Sequence, residues 1–144
     1  MATFQSRNLR KGRRSIQGHC YLITIVTRQR HPWFHEFGPA CIASRVFYAE
    51  AVNHHAKTLA YVVMPDHVHW LLELDGDLAS AVRLYKAKVS SELGDRIWQR
   101  GYHDRAIRTE DNLRDTARYL VANPLRAGLV ENIRDYSFWN AAWL

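Results

Sequence analysis

Residues 59–74 read LAYVVMPDHVHWLLEL, and this stretch decides the fold. It contains two apolar runs rich in β-branched and aromatic residues, 59–64 and 67–74, which are typical of strands. Pro65-Asp66 lies between the runs and supplies turn chemistry. The pattern therefore predicts a β-hairpin.

Before the hairpin, the chain predicts one strand and one helix. Residues 20–27 read CYLITIVT, a composition that indicates a strand buried on much of both faces. After the turn-like Gly38-Pro39, apolar residues recur at helical spacing and predict a helix that ends near Lys57. These apolar residues are Ile42, Val46, Ala49, Val52 and Ala56.

After the hairpin, we expect a helix from Leu78, because apolar residues follow a period near 3.6 while Arg83 and Lys86 share another face. Residues 103–108 predict a short strand. Residues 109–112 indicate the start of a last helix, which Asn123-Pro124 should end. The apolar positions of the helix from Leu78 are Val82, Tyr85, Val89 and Leu93.

The predicted order is β-α-β-β-α-β followed by an extra helix. This is the ferredoxin-like arrangement, an α+β fold in which two helices pack on one face of an antiparallel sheet. We expect one domain over residues 1–144, with a basic arm at 1–18 and a C-terminal tail at 131–144. In that tail, Trp139 and Trp143 either pack on the core or close over a ligand.

The charge balance favours a polyanionic partner. Twenty Lys and Arg against 14 Asp and Glu give a formal net charge of +6, and nucleic acid is the leading partner class. The sequence has neither a secretory signal pattern nor an apolar run long enough for a membrane span, so we expect no membrane and a cytoplasmic, nucleoid-associated protein. Cys20 and Cys41 lack zinc-binding spacing and are expected to be buried thiols. Candidate phosphate contacts are Arg10, Lys11, Arg13, Arg14, Arg83 and Lys86.

Two pairs of residues suggest chemistry. His67 and His69 are at i and i+2 in a predicted strand, so both imidazoles lie on one face and could hold one metal ion. Tyr119 and Asn123 are at i and i+4, which brings a phenol and an amide oxygen to one helix face. Each pair taken alone also fits an ordinary structural role.

Four segments of the chain carry a family resemblance. Residues 62–72 (VVMPDHVHWLL) and 119–130 (YLVANPLRAGLV) resemble the signatures of the HUH single-tyrosine transposases, and residues 101–108 (GYHDRAIR) and 138–144 (FWNAAWL) extend the likeness. The motif PDHVHW and the Trp-rich C-terminal segment are most similar to those of the REP-associated tyrosine transposases. Insertion-sequence relatives often have Asn where this chain has Asp66, and Gln where it has Asn123.

The resemblance implies a site and a reaction. It implies that His67 and His69 hold a divalent metal, that Asn123 completes the metal site, and that Tyr119 attacks single-stranded DNA to leave a 5′-phosphotyrosine and a free 3′-hydroxyl. The implied substrates are repetitive palindromic sequences folded as single-stranded hairpins, bound by a monomer or a homodimer. A ligand set of imidazole and oxygen favours Mg or Mn.

Two other functions remain open on the sequence. The same order of elements occurs in non-catalytic single-strand-binding modules, in which sheet aromatics stack on bases, and Tyr21, Tyr61 and Trp70 could serve in that way. A relative that keeps the site but works mainly as a regulator of repeat DNA is the other alternative.

Overall fold

A computed structural model describes residues 18–132 and 136–142. Within these ranges the chain forms a five-stranded sheet with helices on both faces. The strands are β1 (Cys20–Val26), β2 (Ala56–Met64), β3 (His67–Leu74), β4 (His103–Ile107) and β5 (Trp139–Ala141). The helices are α1 (Phe37–Val46), α2 (Glu50–Asn53), α3 (Leu78–Leu93), α4 (Glu110–Val121) and α5 (Asn123–Arg126).

The strand order is β4-β1-β3-β2-β5, and every neighbouring pair is antiparallel. Met64 pairs with His67 across Pro65-Asp66, so the predicted hairpin is confirmed. The four strands predicted from the sequence have the ferredoxin-like order, and the α+β architecture is confirmed. The fifth strand, β5, was not predicted; it pairs with β2 and lies in the C-terminal tail.

One face of the sheet carries an aromatic core beneath α1, α2 and α3. The Phe47 ring stacks on Tyr61 and Tyr85, with centroids 4.7 and 4.4 Å apart. Trp70 Nε1 donates to Thr58 Oγ1, and Tyr85 Oη donates to the Ala43 carbonyl, so these buried polar atoms are satisfied. Tyr21, Tyr61 and Trp70 are buried here, at most 7% exposed. These three rings are therefore not available for the base stacking that the alternative function would require.

The opposite face carries the extra C-terminal helix. Ala117, Leu120 and Val121 of α4 pack onto Val62 and Leu71 of the sheet. Thr109 caps this helix, because its side chain accepts a hydrogen bond from the Asn112 backbone N–H, as the predicted helix start requires. Two helical layers thus lie on different faces, and α4 packs on the face that bears His67 and His69.

The single helix predicted to end near Lys57 is wrong. The chain forms α1 from Phe37, turns at residues 47–49, forms the four-residue α2, and begins β2 at Ala56, which pairs with Leu74. Ala49 has an extended backbone, and the turn directs Phe47 into the core. Gly38-Pro39 belongs to the first turn of α1, where the missing proline N–H has no helical partner to lose.

The remaining expectations concern the C-terminal tail, the basic arm, the two cysteines and the absence of a membrane span. Trp139 packs against the core cluster that includes α4, whereas Trp143 and residues 1–17 of the basic arm lie outside the described residues. Cys20 and Cys41 carry free, partly buried thiols. Of the helices in the described ranges, none combines the length and apolar character that crossing a bilayer requires.

Candidate active site

His67 and His69 project from the same side of β3. Their ring centroids lie 4.8 Å apart at an angle of 77°, whereas Val68 and Trp70 between and beside them enter the aromatic core. The period of two in an extended strand produces this separation. The sheet therefore presents two imidazoles together beneath α4.

Thr24 on β1 fixes the ring of His69. The two residues are direct partners in the β1–β3 register, and Thr24 Oγ1 lies 2.9 Å from His69 Nδ1. Burial, followed by the positive charges of His67 and Arg126, lowers the pKa of His69 to about 3. The ring is therefore neutral at physiological pH, which is the state that binds metals. Because Nδ1 is engaged, Nε2 is the nitrogen that could coordinate an ion.

Asp66 plays the same part for His67. Its Oδ1 lies 2.7 Å from His67 Nδ1, and its Oδ2 accepts from Arg30 at 3.1 Å. Burial acts to raise the pKa of Asp66, but the hydrogen bonds from His67 and Arg30 outweigh it and lower the pKa. The sequence suggested only turn chemistry for Asp66, whereas the structure shows a carboxylate that orients a histidine.

The turn that presents Arg30 has an unusual backbone. Gln29 and Arg30 both have positive φ, 57° and 52°, in a region where non-glycine residues cost roughly 1–2 kcal/mol each. Thr27 stabilises this segment, since its hydroxyl donates to the Asp66 and His31 carbonyls. The Arg30 to Asp66 to His67 contact is therefore held by a specific loop conformation.

Tyr119 and Asn123 lie on successive helices. α4 ends at Val121, and Asn123 is the first residue of α5, so the predicted helix end is confirmed but the two residues do not share one helix. Tyr119 is 64% exposed although large and aromatic. Such an exposed ring is available to a substrate and contributes little to the core.

Arg126 joins these residues. Its Nη2 donates to the Tyr119 carbonyl at 2.7 Å and to Asn123 Oδ1 at 2.6 Å. Its guanidinium carbon lies 3.6 Å from the centroid of the Tyr119 ring. No role beyond membership of the motif could be predicted for Arg126, because a spacing of seven from Tyr119 across a helix break does not indicate a contact.

Beside Tyr119 there is an open cavity of about 690 Å³ between β4 and α4. Cationic side chains from the β4 segment and polar side chains from α4 line it. This composition suits a charged, hydrogen-bonding ligand. The polar and charged lining residues are Arg105, Arg108, Asn112, Asp115, Thr116 and Tyr119.

Protein ligands for a metal are few in this region. No group of three or more His, Cys, Asp or Glu residues that could hold a metal occurs within residues 18–132 and 136–142. Among the described residues, the Asn123 amide is therefore the candidate for a third protein ligand beside His67 and His69. The donor set fits a divalent ion, because both imidazoles have a nitrogen left to coordinate.

Comparison with known proteins finds relatives in sequence and in structure. A Haemophilus influenzae protein provisionally named a REP-associated tyrosine transposase is 25% identical over 85% of this chain and 79% of its own length. A REP-associated tyrosine transposase of Escherichia coli is 35% identical over 55% of this chain, which spans half of that relative. A solved REP-associated tyrosine transposase bound to a REP hairpin matches with a TM-score of 0.73 and 26% identity, over 88% of this chain and 79% of the other. In sequence and in fold, the chain is similar to the REP-associated tyrosine transposases. No protein-family model matches it.

The residues expected to contact DNA do not all lie near the site. Arg10, Lys11, Arg13 and Arg14 are outside the described residues. Arg83 is exposed on α3, which packs on the face of the sheet opposite the histidines. Lys86 Nζ donates to the carbonyls of Gln99 and Gly101 at 2.9 and 3.1 Å, which indicates a structural role.

Proposed function

We propose that the chain is a metal-dependent single-stranded DNA endonuclease and strand transferase that acts on palindromic hairpin DNA through a 5′-phosphotyrosine. The observation that carries the proposal is the exposed Tyr119, which Arg126 connects to the histidine face: Arg126 contacts the Tyr119 ring and acts electrostatically on His69. The hairpin-bound structural relative supports the choice of substrate. Such an enzyme would work on chromosomal DNA in the cytoplasm.

The residues that would hold the metal are His67 and His69, through Nε2, with Asn123 Oδ1 as the third protein ligand. Mg or Mn suits this mixture of imidazole and oxygen donors. When bound, the ion would polarise the scissile phosphate and neutralise charge that develops on its oxygens. Thr24 and Asp66 would keep the two rings oriented for this role.

In the proposed reaction the Tyr119 hydroxyl oxygen attacks the scissile phosphorus. A new oxygen–phosphorus bond to the tyrosine forms as the bond to the 3′ oxygen breaks, and the departing 3′ oxygen takes up a proton while the phenol loses one. The product is a 5′-phosphotyrosine with a free 3′-hydroxyl. The reverse step, with the same or another 3′-hydroxyl, rejoins DNA without nucleotide hydrolysis because the phosphodiester linkage is conserved.

The cavity beside Tyr119 supports a single-stranded path to the nucleophile. Arg105 and Arg108 offer positive charge, and Asn112 and Asp115 offer polar groups for exposed base edges. A base inside a duplex could not reach such groups, so unpaired nucleotides flanking a hairpin fit the site best.

Trapping of the covalent adduct tests the proposal. Wild type, Tyr119→Phe and Tyr48→Phe would be incubated with labelled hairpin DNA that carries single-stranded flanks, with Mn or Mg. We expect a denaturation-resistant adduct with wild type and with Tyr48→Phe. Tyr48 is also an exposed tyrosine, so its substitution is a matched control. The adduct should be absent with Tyr119→Phe or with chelator.

The non-catalytic binding module is the competing function. It would bind hairpin DNA but form no adduct with any variant, at any metal concentration. The burial of Tyr21, Tyr61 and Trp70 weighs against it, because these rings lie in the core beneath α1, α2 and α3 and are not open to bases.

A further inference from the structure

We propose that Arg126 positions the tyrosine nucleophile and binds the scissile phosphate. This inference rests on the proposed function and deepens it, because it gives the Arg126 guanidinium a role at the tyrosine and at the scissile phosphate. It starts from the three contacts of the Arg126 guanidinium, to the Tyr119 backbone, the Tyr119 ring and the Asn123 amide.

The first contact fixes the end of the helix that carries the nucleophile. Tyr119 lies in the last turn of α4, where backbone carbonyls lack partners within the helix. Arg126 Nη2 donates to the Tyr119 carbonyl at 2.7 Å, and its positive charge complements the negative end of the helix dipole. The arginine therefore restrains the backbone of the residue that attacks.

The second and third contacts fix side chains. The guanidinium carbon lies 3.6 Å from the Tyr119 ring centroid, a cation–π distance that restricts the ring. Nη2 also donates to Asn123 Oδ1 at 2.6 Å, which orients the amide across the helix break. One planar cation thus sets the relative orientation of the nucleophile and the candidate metal ligand.

The assignment to phosphate follows from donor geometry and charge. Nη2 has two hydrogens, which match its two acceptors, whereas Nη1 and Nε carry the remaining three N–H groups of the guanidinium. Arg126 is an exposed residue. A guanidinium that contacts both the nucleophile and the candidate metal ligand Asn123 is matched to a tetrahedral phosphate, whose oxygens guanidinium groups bind as paired acceptors.

A kinetic comparison of variants tests the inference. Arg126→Gln and Arg126→Lys would be compared with wild type and with Arg118→Gln. Arg118 is an exposed arginine adjacent to Tyr119 in sequence whose partner is Asp115, so it serves as a matched control. Hairpin affinity and the single-turnover rate of adduct formation would be measured separately, at saturating DNA.

We expect Arg126→Gln to slow adduct formation by about 100-fold, as for loss of one donor to a developing oxyanion, with hairpin affinity changed by less than about 3-fold. Arg126→Lys should recover roughly 10-fold of the rate, because it restores charge without the planar fork. Arg118→Gln should behave as wild type. A helix-capping role alone would act through folding, so it would lower the temperature of unfolding together with the adduct rate.

Two results would overturn the inference. One is an adduct rate for Arg126→Gln equal to that of wild type; the other is equal loss in the Gln and Lys variants together with a lower temperature of unfolding, which would assign Arg126 to folding. As a second readout, the NMR signal of the Tyr119 ring, identified by its absence in Tyr119→Phe, should shift in Arg126→Gln and not in Arg118→Gln. Failure of wild type to form any adduct would instead remove the proposed function itself.

Discussion

Thr24 Oγ1 lies 2.9 Å from His69 Nδ1, and the two residues are direct partners across β1 and β3. The strand pairing therefore supplies a hydrogen-bonding group to a histidine that burial keeps neutral. Asp66 supplies the corresponding group to His67. Both interactions use Nδ1, so they would orient the two rings with Nε2 towards a shared ion.

Thr24→Val should weaken metal binding. The substitution keeps the side-chain shape but removes the oxygen that orients His69, and the loss of such a partner costs about 10–100-fold in affinity. A calorimetric titration of the metal-free protein with Mn measures the change in affinity. Thr24→Ser is the matched control and should bind as wild type, and equal affinities for the Val and wild-type proteins would contradict the role given to Thr24.

Asp66→Ala should weaken metal binding more than Asp66→Asn. An asparagine oxygen can still accept from His67 Nδ1, although the charge that pairs with Arg30 is lost, whereas alanine removes both interactions. We expect a loss of about 10-fold or more for Asp66→Ala and a smaller loss for Asp66→Asn. The same Mn titration distinguishes the two variants, and an Asn variant as weak as the Ala variant would indicate that charge rather than orientation matters.

The paired histidines and the hairpin could be predicted from the sequence, because a period of two and a Pro-Asp turn are local features. The helix break at residues 47–49 could not, because Val46, Ala49 and Val52 continue the helical spacing even though Val46 and Val52 belong to different helices. Both residues are buried against the same core. The spacing of apolar residues indicates which side chains are buried, but in this segment it does not indicate that the chain turns.

The supporting residues of the site were missed for a different reason. Thr24 contacts His69 only through the register of β1 on β3, and strand register is set by the assembled sheet. Arg126 contacts Tyr119 only because a new helix begins after Ala122. Contacts between elements depend on the angles at which elements meet, which no local pattern in this sequence specifies.

The metal-free protein should lose stability on acidification because of His69. Its pKa is about 3 in the folded state and 6.5 as the ordinary value, so the unfolded chain binds a proton that the folded chain excludes between these values. This contribution is complete above the unfolded pKa and decreases as the pH falls towards the folded one. From about pH 7.5 to about pH 5 the free energy of unfolding should fall by about 2 kcal/mol from this group.

Urea unfolding with chelator present, at both pH values, measures this effect. His69→Gln lacks the titrating ring and isolates its contribution from those of the other histidines. The fall in unfolding free energy should be smaller in His69→Gln by about 2 kcal/mol. The same pH dependence in both proteins would mean that His69 accepts a proton in the folded state.

Arg105→Gln should reduce the salt dependence of binding to single-stranded DNA. Arg105 lines the cavity beside Tyr119 and pairs in register with Leu22, on the same face of the sheet as the histidines. Removal of one phosphate contact lowers the slope of log affinity against log salt by about 0.7 for a single strand.

Arg83→Gln is the comparison, because Arg83 was also predicted to bind DNA but lies on α3, across the sheet. Fluorescence anisotropy over a range of salt concentrations should show a shallower slope for Arg105→Gln and an unchanged slope for Arg83→Gln. The reverse pattern would move the DNA path to the opposite face and separate it from Tyr119.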